Sequence, residues 1–246
     1  SILLRYDVKT EPKIQFEKNE IILENNKKIK VGVIGAGNFA SSTIIPILKE
    51  LKRSCQILGV ASSGGLSSKA LAKNFKIKNK YQTEDEIFES DEIDALFVLT
   101  QHFNHAELVI RGINSGKAVY VEKPLAINVD SITKIEEAMY NAEDPKIFLG
   151  FNRRFSNASM FIKEKLNASP ANALNFRFSV PKLERDHWTN IKEIGGGRVV
   201  GEAIHAIDLG TYFFDSLPQS ISSYSPIDKE SDEALDNQVF ININYA

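Results

Sequence analysis

The sequence is poor in the residues that would tie it to an oxidising compartment, a metal cluster or a membrane. Of its 246 residues one is cysteine, Cys55, which excludes an intrachain disulfide and a thiolate metal cluster. His187 and His205 lack a third ligand at metal spacing, so no zinc site is expected. No apolar run reaches the ~18 residues of a membrane span. No basic-then-apolar signal segment opens the sequence. Charge of one sign is lacking too: 30 Lys and Arg against 32 Asp and Glu leave a net charge of −2. These charges are scattered rather than blocked, which argues against nucleic acid as a partner. The expectation is a cytoplasmic protein with no membrane partner. Its 43% hydrophobic and 25% charged residues are those of an ordinary folded chain of one or two domains.

One further scarcity is local. No acidic residue lies between Glu50 and Glu84, while Lys52, Arg53, Lys69, Lys73, Lys76, Lys78 and Lys80 all fall there. Its meaning depends on the stretch before it, Lys30 to Ala40, which reads as a buried strand, a glycine turn and a helix start. Gly35 allows the tight turn, Gly37 lets backbone amides approach a pyrophosphate, and small Ala40 permits close helix–strand packing. The helix start offers unpaired N–H groups and partial positive charge. An NAD-preferring site commonly has an Asp or Glu ~20 residues past the glycines, to bind the ribose 2′-hydroxyl. Here Ser62 and Ser63 stand instead, among lysines, which tolerates a 2′-phosphate and leans the cofactor toward NADP over NAD. The alternative is a plain solvated basic face.

Taken in order, residues 28–35 form the first strand. A helix from about 38 to 52 follows, kinked or restarted at Pro46, which lacks a backbone donor. Residues 56–61 are the second strand, 67–75 a short helix, and 93–100 an apolar run suited to a parallel strand covered on both faces. A loop at 101–104 leads to a helix over 105–115 ended by Gly116 in the left-handed cap position. Residues 118–121 form the next strand, 130–141 a helix and 146–150 the last strand of this domain. Ligands bind outside the carboxyl ends of such strands. The glycine turn, Ser62, Thr100 and Glu122–Lys123 therefore converge on one rim. Candidate cofactor contacts are Gly35, Gly37, Asn38, Phe39, Ser62, Ser63, Thr100, Gln101, His105, Glu122 and Lys123. His105 is open between bracing its helix and touching a ligand, and His102 between cofactor contact and solvation.

After Gly150 the pattern changes. Residues 151–155 lead into a helix ending near 166, 173–180 alternate like an open-faced strand, and 181–194 are irregular. A helix from about 198 to 214 and strands near 220–224 and 238–245 complete an α+β unit. Arg153 and Arg154 have guanidinium forks suited to phosphate or carboxylate, or serve a structural salt bridge. Trp188 stacks on a sugar ring or simply packs. The fold class is α/β: an N-terminal Rossmann doubly wound parallel sheet, then an α+β substrate domain with a mostly antiparallel sheet, read as truncated. The domains are 1–27, an arm or connector; 28–150, dinucleotide-binding; and 151–246, a partial substrate and oligomerisation domain.

These motifs resemble the Gfo/Idh/MocA family of NAD(P)-dependent oxidoreductases. The matching residues are Gly35 to Ala40, Thr100 with His105, Gly116-Lys117 leading to Glu122-Lys123-Pro124-Leu125-Ala126, Gly150 to Arg154, and Gly195-Gly196-Gly197 with His205 and Asp208. His187-Trp188 and the run from Gly195 to Glu202 look like the branch often fused behind an alcohol-dehydrogenase-like module. In that reading residues 1–27 are the connector from it. The resemblance implies Lys123 near the nicotinamide and the reacting carbon, Glu122 on the nicotinamide ribose, a cis Lys123–Pro124 bond, and His205 as general acid/base. Arg153, Arg154, Trp188, Glu202 and His205 become candidate substrate contacts. The chemistry needs such groups: as hydride leaves a carbinol carbon, a base takes the hydroxyl proton and an ammonium stabilises the alkoxide.

One position departs from the family. Many relatives carry an Asp four residues before this His; here it is Gly201, and Glu202 points about 100° away around an α-helix. Either Lys123 and His205 suffice, Glu202 substitutes in part, or redox chemistry is lost. The leading expectation is hydride exchange with a hydroxyl or ketone of a sugar-like substrate, in polysaccharide biosynthesis by analogy with the family. The alternatives are a non-redox NAD-assisted glycosidase and a nucleotide-binding module without turnover. A homo-oligomer through the C-terminal sheet is expected.

Overall fold

Apolar runs of four to seven residues build the strands, and the periodic segments between them cover both faces. The computed structural model describes residues 27–168, 173–179, 184, 187–227 and 238–245, so the expected connector lies outside them except for Lys27. β1 (Ile29–Ile34) passes through the glycine turn into a π-turn, Ala40–Ile44, and α1 (Ile45–Glu50). Then come β2 (Cys55–Ala61), α2 (Leu66–Asn74), α3 (Glu84–Glu89), β3 (Ala95–Val98), α4 (His105–Asn114), β4 (Ala118–Glu122), α5 (Val129–Asn141) and β5 (Ile147–Gly150). The strands pair in parallel in the order β2-β1-β3-β4-β5. Beyond β2, Tyr81 makes a single parallel bridge to Gly59. Beside it the Asn79 amide bonds the Val60 N–H and carbonyl at 2.6 and 3.1 Å, standing where a further strand would pair.

Alternation along each strand divides the core. Val31, Val33, Ile57 and Val60 pack with Ile44, Ile45, Leu48 and Leu71 on one face. Ile34, Leu96, Val98, Val119 and Val121 pack with Phe88, Leu108, Val109, Ile113 and Ile135 on the other. Each such side chain contributes about 1.5–3 kcal/mol by leaving water. This is the doubly wound sheet expected.

Two local features differ from expectation or refine it. Helix α3 was not expected. Its signal is a capping box: Thr83 Oγ1 accepts from the Glu86 N–H at 3.2 Å, and Glu86 Oε2 accepts from the Thr83 N–H at 3.1 Å. Pro46 sits at the start of α1, after the π-turn, and the wider turn accommodates the ring and the missing donor.

The remaining elements are α6 (Asn157–Ala168), α7 (Lys192–Gly195), α8 (Ile204–Phe214), β6 (Pro218–Tyr224) and β7 (Phe240–Tyr245), with β6 and β7 antiparallel. The expected strand at 173–180 is absent over its described part, 173–179. Its rings serve side-chain packing instead: Phe176 stacks on Phe213 with centroids 6.4 Å apart, and the Arg153 guanidinium lies 5.2 Å above Phe178. The helix expected over 198–214 is broken by a second π-turn, Val199–Ala203, ahead of α8. Among the described residues, no helix is long and apolar enough to cross a membrane.

Candidate active site

The strand order reverses direction between β1 and β3, and a crevice opens outside their carboxyl ends, where open α/β sheets take ligands. At Gly35 φ is +105°, and a Cβ would lie 2.5 Å from the Leu99 carbonyl oxygen, so the turn itself demands glycine. Gly37 differs: its φ is not left-handed and a Cβ there would meet nothing within 4 Å. Nothing in the protein requires glycine at 37, so close approach of a ligand is the physical reason left, and the cradle fits a pyrophosphate. Asn38 is exposed beside it. The Phe39 ring packs on the core, so its backbone is the part that remains for a phosphate.

Ser62 and Ser63 end β2. Ser62 Oγ lies 2.9 Å from Ser67 Oγ and accepts from the Ser68 N–H at 3.3 Å, while Ser63 is exposed. Thr100 and Gln101 follow β3, with Gln101 exposed. His105 has no exposed surface; Nδ1 lies 2.7 Å from the Pro124 carbonyl oxygen and Nε2 3.1 Å from that of Thr100. Two carbonyls cannot both be served by a neutral ring, and burial lowers its pKa, so the shorter contact is the hydrogen bond. A ring with no surface cannot touch a cofactor, and His105 is instead a brace between the loop after β3 and the end of β4.

At that end the Lys123–Pro124 bond is cis. Glu122 Oε1 accepts from the Tyr120 hydroxyl at 2.5 Å, and burial raises its pKa above the usual carboxylate range. Lys123 Nζ donates to the carbonyl of Gly201 across the crevice. Burial lowers the Lys123 pKa; Glu202 and Glu122 oppose that shift, and Arg153 and Arg198 add to it.

A cavity of about 160 Å³ opens here, lined among others by His102, Lys123, Trp188, Arg198, Gly201 and Glu202. Ligand pockets commonly span ~300–1,000 Å³, so this is room for the reacting part of a ligand. Glu202 stands on the cavity wall beside Gly201 rather than turned away from it, within the π-turn of Val199–Ala203. The first turn of the triple-glycine segment also needs its glycines, with φ +78° at Gly196 and +81° at Gly197.

Sequence reasoning left His102 undecided and missed Arg198, whose only signal was its place after the triple glycine. His102 is 7% exposed, donates from Nδ1 to the Gly195 carbonyl at 2.7 Å, and meets Trp188 edge-on at 4.8 Å between centroids. The solvated reading is therefore excluded. Burial, His105 and Lys123 bring its pKa down to about 4 despite that hydrogen bond. His205 does not line the cavity; its Nδ1 is buried without a partner among the described residues, and burial, Lys123 and Arg153 bring its pKa to about 4. Arg154 grips Asp208 with both arms, Nε to Oδ2 at 2.7 Å and Nη2 to Oδ1 at 2.5 Å. Its reading as a substrate contact is corrected: the guanidinium is engaged in a structural pair. Arg153 is exposed and makes no ion pair among the described residues.

Comparison with known proteins agrees with this fold. Residues 29–148 match the Gfo/Idh/MocA family, described as an oxidoreductase family with an NAD-binding Rossmann fold. The inositol 2-dehydrogenase/D-chiro-inositol 3-dehydrogenase of Lacticaseibacillus casei is 26% identical over 56% of this chain and 40% of its own. Glucose-6-phosphate 3-dehydrogenase of Bacillus subtilis is 25% identical over 87% of this chain and 66% of its own. The structure of myo-inositol dehydrogenase from Lactobacillus casei with NAD(H) and myo-inositol superposes with a TM-score of 0.72 at 22% identity, over 89% of this chain and 64% of that one. The chain spans about three fifths of the length of the curated relatives it matches. The glycine cradle, the rim and this match together give the parallel-sheet part of the chain the NAD-binding Rossmann fold described for the Gfo/Idh/MocA family.

Proposed function

We propose that the chain belongs to an oxidoreductase that exchanges a hydride between a nicotinamide cofactor and a hydroxyl or keto carbon of a sugar-like substrate. The observation that carries this reading is Lys123: its ammonium stands at the carboxyl end of β4 and on the wall of the cavity. Gly35, Gly37, Asn38 and the Phe39 backbone would hold the pyrophosphate, Ser62 and Ser63 the adenosine ribose, and Thr100, Gln101 and Glu122 the nicotinamide end. A bound nicotinamide supplies the hydride acceptor or donor. The protein's part is to orient the hydroxyl, exclude water and stabilise the developing alkoxide with the Lys123 ammonium. Arg153, Trp188 and Glu202 are the substrate contacts of this reading, with His205 buried outside the cavity lining. The acid-free interval from 51 to 83 supports NADP over NAD.

The same reading gives residues 28–150 to the cofactor and 151–246 to substrate and self-association. The exposed Ile221, Tyr224 and Phe240 of β6 and β7 support an oligomer through that sheet. Residues 1–27 would be the connector to an alcohol-dehydrogenase-like module, in a cytoplasmic enzyme of polysaccharide biosynthesis. Gly201, where many relatives carry Asp, favours a second reading: a dinucleotide-binding module without turnover. Fluorescence titration with NADPH and NADH, followed by absorbance at the reduced nicotinamide with a panel of sugars and inositols, separates the two. Tighter NADPH binding and net cofactor reduction with at least one sugar is the expected result. Binding without turnover across the panel supports the second reading.

A further inference from the structure

We propose that His102, rather than His205, accepts the substrate's hydroxyl proton in this cavity, an inference that rests on the oxidoreductase reading above. His102 sits in the short turn His102–Asn104 between β3 and α4. Its Nδ1 faces the Gly195 carbonyl at 2.7 Å. A carbonyl only accepts, so Nδ1 carries the proton and Nε2 of the neutral ring presents a lone pair. Nε2 has no protein partner among the described residues, yet it is not sealed off, and the ring lines the cavity that Lys123 and Glu202 also line. Trp188 at 4.8 Å and His105 at 5.6 Å hold the ring plane.

His205 offers the reverse. Its Nδ1 is sealed without a partner among the described residues, Phe151 stands edge-on 6.2 Å away, and the residue is absent from the cavity wall. Gly201 explains why the acceptor can be an imidazole. A Cβ at 201 would meet only the Cε1 of His102, at 3.7 Å, with no backbone clash. A carboxylate carried at 201 would extend toward the edge of the His102 ring, so the histidine serves the space that such a side chain would otherwise enter.

A carbinol hydroxyl needs a donor and an acceptor on one wall. Lys123 gives one of its three N–H donors to the Gly201 carbonyl and keeps two; His102 supplies the lone pair. In oxidation the O–H bond breaks and its proton passes to Nε2. The C–H bond breaks and its electron pair leaves with the hydrogen for the nicotinamide, while the C=O bond forms. Reduction runs the same transfers backwards. Glu202, on the same wall, offsets the positive charge of Lys123. Burial keeps the His102 ring neutral at physiological pH, so the Nε2 lone pair is free of a proton.

His102→Asn retains an amide donor for the Gly195 carbonyl and loses the lone pair; His102→Gln keeps an acceptor near Nε2 and loses that donor. The expected result is a fall in kcat of about 100-fold or more for His102→Asn. NADPH affinity by fluorescence stays within about twofold of wild type; the loss is as large for His102→Gln, whose amide oxygen cannot take the proton, and smaller for His205→Asn. Adding Gly201→Asp to His102→Asn restores part of the turnover. Long-range proton–nitrogen NMR of the wild type, with no cofactor present, shows His102 Nε2 unprotonated. Wild-type kcat in His102→Asn, or a proton found on Nε2, overturns the inference while leaving the oxidoreductase reading intact. No turnover by the wild type on any substrate overturns that reading, and the inference with it.

Discussion

Gly35 and Gly37 stand two residues apart and are glycines for different reasons. A Cβ at Gly35 would collide with the Leu99 carbonyl at 2.5 Å in a left-handed backbone. Gly35→Ala is therefore expected to cost stability, about 1–3 kcal/mol in urea unfolding. Gly37→Ala meets no protein atom within 4 Å, so its melting temperature should stay at the wild-type value. Its NADPH affinity should drop about tenfold or more, as a methyl enters the space a pyrophosphate needs. Equal loss of stability in both variants would contradict this division. The histidines give a pH dependence. His102 and His205 are brought down to about 4 in the folded chain, against ~6.5 when unfolded. Above ~6.5 both states are neutral and no penalty applies; as pH falls, the unfolded chain takes up protons first. Stability is thus complete above about pH 6.5 and lost as pH drops through about 4. Urea melts at pH 7, 5.5 and 4.5 should show that loss, and His102→Asn with His205→Asn should flatten it.

At the scale of elements, the two π-turns decide what the sequence could not. Pro46 announced an interruption, and the π-turn before α1 is its form. No residue in Val199–Ala203 announces one, because a π-turn there depends on what the segment packs against. Yet that turn brings Glu202 to the cavity and puts the Gly201 carbonyl under Lys123. Helix α3 was legible in Thr83 and Glu86 and went unread, since six residues carry too little periodicity to stand out. The 173–179 stretch shows the opposite failure: alternating phenylalanines signal a strand, but their rings are taken by α8 and Arg153. Helix α8 is fastened to the turn after β5 by the Arg154–Asp208 pair. Asp208→Ala removes two hydrogen bonds to a charged donor, and Arg154, a third exposed, can turn to water. A loss of about 2 kcal/mol is expected in thermal or urea unfolding, with kcat falling as the Gly201 contact to Lys123 loosens. Unchanged stability would show that the pair is ornamental.

Across the whole molecule, the cofactor rim and the cavity have separate origins. The rim belongs to the parallel sheet alone, whereas the cavity exists only where that sheet meets the segment from Trp188 to Glu202. Lys123→Ala should therefore remove turnover by about 100-fold or more and leave NADPH fluorescence titration within about twofold of wild type. Retained turnover would remove Lys123 from the chemistry. The sequence by itself determined the strands of the parallel sheet, the glycine turn and the convergence of Ser62, Thr100 and Glu122–Lys123 on one rim, because apolar periodicity and turn chemistry act over a few neighbouring residues. Tertiary structure alone decided which candidates share a wall. His102 is 93 residues from the Gly195 carbonyl that fixes its tautomer, Lys123 is 78 from its partner Gly201, and Arg154 is 54 from Asp208. Contacts at such separations are set by how the helices pack, and no local pattern in the chain encodes them.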